Sequence, residues 1–234
     1  MNSIKRPWTN LILAPTWFLI IIVAVSIYFV GVGVSERDIP IKIEENTPSL
    51  ILIVQVILLL TLLFTTRKDN FNILKEGWKI DKTKLPIDIF GGIATGVIIA
   101  IFYFFIFSPL QYYLQLNIGD YVPAGETMNV LGKQTVIFFI ANVLFAPFVE
   151  ESLYRNYTLS KFLQKYGHTK SIIITVIMFG LLHWVGGIWY MLMTGLIVGM
   201  PFAIIATKKK NIVWVFVAHL TLNILEFIYI TTKS

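Results

Sequence analysis

The chain contains no cysteine, has three histidines, and only 14% of its 234 residues are charged. The missing cysteines exclude disulfides and thiolate metal sites. Few charges beside 56% hydrophobic residues exclude an ordinary soluble domain, because most of that apolar surface could not be buried. A mean hydropathy of +0.76 says the same. The reading is a single all-α integral membrane domain over residues 1–234, since helices satisfy their backbone internally in lipid. A cleavable leader is also not expected. Lys5 and Arg6 precede an apolar run to about Val34, too long for a signal core and not followed by a small-residue cleavage site. It reads as a retained first helix, with Pro15 expected to kink it or delay its start. The net charge of +6 would suit nucleic acid, but its distribution fits a lipid bilayer, and no nucleic-acid partner is expected.

Seven apolar stretches approach the roughly 20 residues a bilayer requires. They are Leu11–Val32, Ser49–Thr66, Ile87–Phe107, Thr135–Phe148, Ser171–His183 with an extension, Gly187–Thr207 and Ile212–Ile230. The expected architecture is a transmembrane helix bundle of about seven spans, or eight if Leu110–Lys133 holds a weak or re-entrant segment. Trp184-Val-Gly-Gly187 is the expected turn between the fifth and sixth. With the N-terminus cytoplasmic, inner segments hold 15 of the 19 basic residues, as the positive-inside rule predicts. The stretch Arg67–Lys84, with Phe71 and Trp78, reads as a loop lying against anionic headgroups. Gly92-x-x-x-Gly96 and Gly195-x-x-x-Gly199 suit close helix contacts, because small residues let backbones approach.

Against this apolar background a few polar residues stand out. Glu150, His183, His219 and Asn223 lie in three hydrophobic stretches, where an ionisable group costs about 2.5–3.5 kcal/mol on insertion scales. Such residues face a protein interior or a wet cavity. Glu151 and Arg155 are one turn apart and can pair, while Glu150 has Tyr154 at that spacing and no cation. One carboxylate is then neutralised and the other left as a general base. Phe179 shares a face with His183 and can hold the imidazole by packing. His219 and Asn223, also four apart, offer two donors suited to a developing oxyanion. By helix rise, Glu150 would lie roughly 8 Å from the cytoplasmic end of its helix and His219 roughly 13 Å. A cavity open to the cytoplasm could gather all four groups. Glu226 extends the same face and is not assigned to the site. For each motif alone the competing reading is structural: interfacial anchors for the glutamates, interhelical hydrogen bonds for the rest.

In this order, Glu150-Glu151-x-x-x-Arg155, Phe179-x-x-x-His183 and His219-x-x-x-Asn223 resemble the CAAX protease and bacteriocin-processing (Abi) family of intramembrane endopeptidases. The motif-bearing core covers about residues 134–230. The resemblance implies hydrolysis of peptide bonds in membrane-associated peptides or proteins, in bacteriocin or peptide processing or in self-immunity. It implies Glu150 as base, His183 as its partner in positioning water, and His219 with Asn223 as the oxyanion hole. Glu151, Arg155 and Phe179 become structural support. Metal use is left open: Glu150, His183 and His219 could form a three-ligand zinc site, while a donor such as Asn223 favours catalysis with no obligatory cofactor. A bacterial cell membrane, with the cavity facing the cytoplasm, is the expected location. The rivals are a non-catalytic immunity or scaffold protein of the same fold, and a proton-coupled transporter, for which the sequence lacks inverted repeats.

Overall fold

A computed structural model describes residues 4–124 and 134–233. These residues form α1 (Lys5–Gly31), α2 (Ile39–Lys68), the short α3 (Ile73–Glu76) and α4 (Leu85–Asn117). They continue with α5 (Thr135–Tyr166), α6 (His168–Leu182), α7 (Ile188–Lys209) and α8 (Val213–Lys233). Six of these helices are long and apolar enough to cross a membrane, and α6 is a shorter apolar helix of 15 residues. The protein is an all-α, polytopic integral membrane protein. Its outer faces carry the side chains expected to meet lipid, among them Ile27, Phe90, Phe105 and Val136.

Several boundaries differ from those expected from apolar runs. Helix α1 is not delayed by Pro15; it starts at Lys5 and carries Pro15 inside. Helix α4 runs on to Asn117, absorbing the front of the segment considered for an eighth span. The rest of that segment, from 125 to 133, lies outside the described residues. Helix α5 continues past Arg155 to Tyr166, so Glu150 is far from the end of its helix and the shallow depth expected for it does not hold. Hydropathy missed this extension because Tyr154, Tyr157 and Phe162 are buried in protein, among polar groups of which Glu151, Arg155 and Asn156 have partners there.

Prolines shape the helices that build the centre. Within α4, α5 and α7 the backbone widens to π-helix at Tyr103–Phe107, Phe139–Phe145 and Thr194–Gly199. Each widened stretch ends two residues before a proline: Pro109, Pro147 and Pro201. A proline ring collides with the carbonyl four residues back, and widening the turn relieves that collision. A second π stretch in α5, Glu151–Thr158, has no proline after it, and we have no physical account of its origin.

Two glycine seams set the helix spacing. A Cβ on Gly92 would come within 2.7 Å of the Trp214 carbonyl oxygen, and one on Gly96 within 2.5 Å of that of Ala218. Helices α4 and α8 therefore touch backbone to backbone, as the small-residue spacing predicts. Gly180 and Gly195 do the same for α6 and α7: a Cβ on Gly180 would come within 2.7 Å of the Met191 carbonyl oxygen and 3.4 Å of the Gly195 Cα. The end of the bundle that carries the basic residues is tied by Arg6 to Asp69 and by Lys209 to Asp88. There the loop after α2 turns its aromatics inward. Phe71 packs on Tyr157 and Trp78 on Phe148 and Phe216, so these two rings serve the fold rather than a headgroup surface.

Candidate active site

Every polar residue singled out from the sequence is buried in the bundle or lines its central cavity. Helix α5 delivers the acidic pair. Glu151 is fully buried; its Oε1 accepts from an Arg155 guanidinium N–H at 3.2 Å and from His219 Nδ1 at 2.9 Å. The i, i+4 pairing read from sequence is present, and His219 is a second partner that the sequence did not reveal. Arg155 also donates to the Gly199 carbonyl at 3.3 Å and lies 4.0 Å over the Phe179 ring. One carboxylate thus ties α5 to α8, and one guanidinium ties α5 to α6 and α7.

Glu150 has different surroundings. It is 4% exposed, and its Oε1 accepts from the Gln55 side-chain amide of α2 at 2.7 Å. Its Oε2 is buried with no hydrogen-bond partner. No cation pairs with it among the described residues, as the spacing suggested.

His183 follows the last residue of α6, where the final carbonyls lack partners within the helix. Its Nδ1 lies 2.8 Å from the Phe179 carbonyl, which can only accept. Nδ1 therefore carries the proton, and Nε2 of the neutral ring presents a lone pair. The spacing Phe179-x-x-x-His183 acquires a physical reason: the residue four back supplies both this carbonyl and a ring 4.9 Å from the imidazole. After His183 the chain turns through Trp184–Gly186, and Gly187 takes φ +99°, open to glycine at little cost. Asp120, from the loop after α4, caps the helix that follows, accepting from the backbone N–H of Ile188 at 2.9 Å.

Asn223 donates its side-chain N–H to the Asn142 carbonyl at 2.7 Å. This acceptor exists because of Pro147. In the widened stretch Ala146 N–H reaches back to Ala141, and the corresponding partner of Asn142 would be Pro147, which has no N–H. The free carbonyl orients the Asn223 amide and leaves its second N–H to donate elsewhere.

His183, His219, Asn223 and Phe179 line one internal cavity of about 40 Å³, roomy enough for water. Tyr103, Tyr190 and Glu226 also line it, so the carboxylate left outside the site belongs to its wall. Glu150 does not line this cavity. Sequence reasoning missed Gln55, Asn142, Tyr103 and Tyr190. Pro147 within an apolar span was the one local signal that a carbonyl nearby would be free. Among the described residues no three His, Asp or Glu side chains are grouped to hold a metal ion. Glu150, His183 and His219 are not grouped in this way as their side chains stand.

A helix bundle of membrane length that buries a glutamate pair beside a small cavity lined by His183, His219 and Asn223 defines a polytopic membrane protein with a polar site among its helices. Residues 132–225 match the family model described as "Type II CAAX prenyl endopeptidase Rce1-like". This segment holds all three motifs, and its match supports membership of the CAAX protease and bacteriocin-processing family, with an intramembrane CAAX-type protease fold. No curated protein and no solved structure matches the chain.

Proposed function

We propose that this protein is an intramembrane endopeptidase that hydrolyses a peptide bond of a membrane-associated peptide or protein, with water activated by Glu150 and His183. The supporting observation is a pair of acceptors: Glu150 Oε2 has no hydrogen-bond partner, and the Nδ1 bond of His183 leaves its Nε2 as an acceptor. A water entering from the cavity beside His183, so as to donate to both, keeps its own lone pairs for a carbonyl carbon. In the addition step the water oxygen bonds to that carbon and its proton passes to Glu150 Oε2. When the tetrahedral intermediate collapses, the C–N bond breaks and Glu150 returns the proton to the leaving nitrogen.

The oxyanion formed in between needs donors. The free N–H of Asn223 is one. His219 spends Nδ1 on Glu151, so it donates from Nε2 only as an imidazolium, and the Glu151 carboxylate is its counter-ion. The pair Glu151–His219 therefore belongs to the chemistry as well as to the fold. No obligatory metal is required by this scheme. The excess of basic residues at one end of the bundle supports a cytoplasmic N-terminus, and we place the cavity's opening on that side, in a bacterial cell membrane. Prenylated C-terminal peptides, bacteriocin leaders and signal-peptide remnants are the substrate classes that suit such a site.

The test compares peptides in membranes and medium of cells expressing wild type or Glu150→Ala at matched protein levels. New termini seen only with wild type establish proteolysis and identify the substrate. Identical profiles, with any immunity phenotype kept in the mutant, would replace this reading with a non-catalytic immunity or scaffold role.

A further inference from the structure

The proposed base is held from outside the region that carries the motifs. We propose that Gln55 of α2 is a positioning residue for Glu150: its side-chain amide fixes one carboxylate oxygen and leaves the other oxygen to take the proton from water. This inference rests on the reading of Glu150 as the base.

Gln55 sits in the middle of a 30-residue apolar helix and is 2% exposed. A glutamine there is costly unless it is used, and its contact is the 2.7 Å bond from Nε2 to Glu150 Oε1. Its own Oε1 has no partner, so the side chain is retained for the donor it offers and not for a satisfied network. Helix α2 lies outside residues 132–225, which is why the motif-bearing segment gives no hint of it. The geometry divides the labour within one carboxylate. With Oε1 tethered the group cannot spin about its last bond, and Oε2, buried and unpartnered, is the oxygen left to take a proton. A donor on Oε1 stabilises the ionised form, the only form that can act as base.

The test uses the full chain in nanodiscs and dicyclohexylcarbodiimide, an apolar reagent that modifies carboxyl groups in their protonated form. Labelling of Glu150 is followed by mass spectrometry across pH. Gln55→Met keeps the shape and removes the donor; the labelling curve of Glu150 is expected to move to higher pH by about one to two units, the worth of a hydrogen bond to a charged group. Gln55→Glu supplies a donor only while its own carboxyl is protonated, so two carboxyls then share one proton and the curve splits into two steps. A purely structural role would lower the yield of folded protein in both variants and leave the curve in place, and that result overturns the proposal. If Gln55→Met fails to fold, the single or split curve of Gln55→Glu decides. Labelling does not depend on turnover, so the two readings fail separately. Turnover by Glu150→Gln would refute the assignment of the base, whereas an unmoved curve refutes the role of Gln55 alone.

Discussion

The buried carboxylate shared by Arg155 and His219 gives the sharpest test of how this bundle is held together. The perturbation is Glu151→Gln, which removes the charge and keeps an oxygen able to accept from His219 Nδ1. The Glu151 side chain is 0% exposed and that of Arg155 1%, so no solvent screens the loss. Removing one partner of a buried pair costs about 3–5 kcal/mol, because the other charge stays behind without compensation. Domain stabilities are typically about 5–15 kcal/mol, so the single change removes a large share of the total. The unfolded population should rise by roughly 10²- to 10⁴-fold. Arg155→Met alone should cost a similar amount, leaving Glu151 buried with only His219. The double variant should cost less than the two singles together, since the pair is removed whole and the methionine can pack on Phe179. Equilibrium unfolding in mixed micelles, or steric trapping in bicelles, reads all three free energies. Additive effects, within about 0.5 kcal/mol, would refute the argument that these groups act as one unit. So would a Glu151→Gln protein as stable as wild type.

Other expectations concern the helix seams, the proline and the turn after His183. Gly96→Ala places a methyl 2.5 Å from the Ala218 carbonyl oxygen; overpacking of about 1–3 kcal/mol should lower the thermal midpoint, and an unchanged midpoint would show that α4 and α8 have room to separate. Pro147→Ala restores an N–H that competes with Asn223 for the Asn142 carbonyl; turnover should fall more than stability, as measured by peptide cleavage beside thermal unfolding. Asp120 lies outside the spans. Its burial works to raise its pKa, but the N–H donors of Ile188, Tyr121 and Trp189 overcome this and hold it below the usual carboxylate range. A depressed folded value means that its contribution is present above the ordinary aspartate pKa and is lost as pH falls through the folded value. Asp120→Ala should therefore cost about 0.5–2 kcal/mol at pH 7, with the gap from wild type closing as pH falls below the ordinary aspartate range; a gap constant with pH would sink the capping role.

The amino-acid sequence by itself settled that this is a membrane bundle, because apolar runs of bilayer length have no other stable home. It also picked out the polar residues, since each one in such a run needs a reason to be there. Intrahelical relations were legible too: Glu151 with Arg155 and Phe179 with His183 follow from 3.6 residues per turn, and the glycine spacings marked the close seams. Helical periodicity gives the face on which a side chain lies, but not the helix that covers that face. Gln55 and Glu150 stand 95 positions apart, and His219 and Glu151 stand 68 apart. These meetings were decided only when α2, α5 and α8 packed. The extent of α5 was hidden for the same reason, because a polar stretch buried in protein looks like a loop until its partners are known. The freeing of the Asn142 carbonyl belongs to both levels: Pro147 removes the internal donor locally, but only the approach of α8 supplies the amide that replaces it.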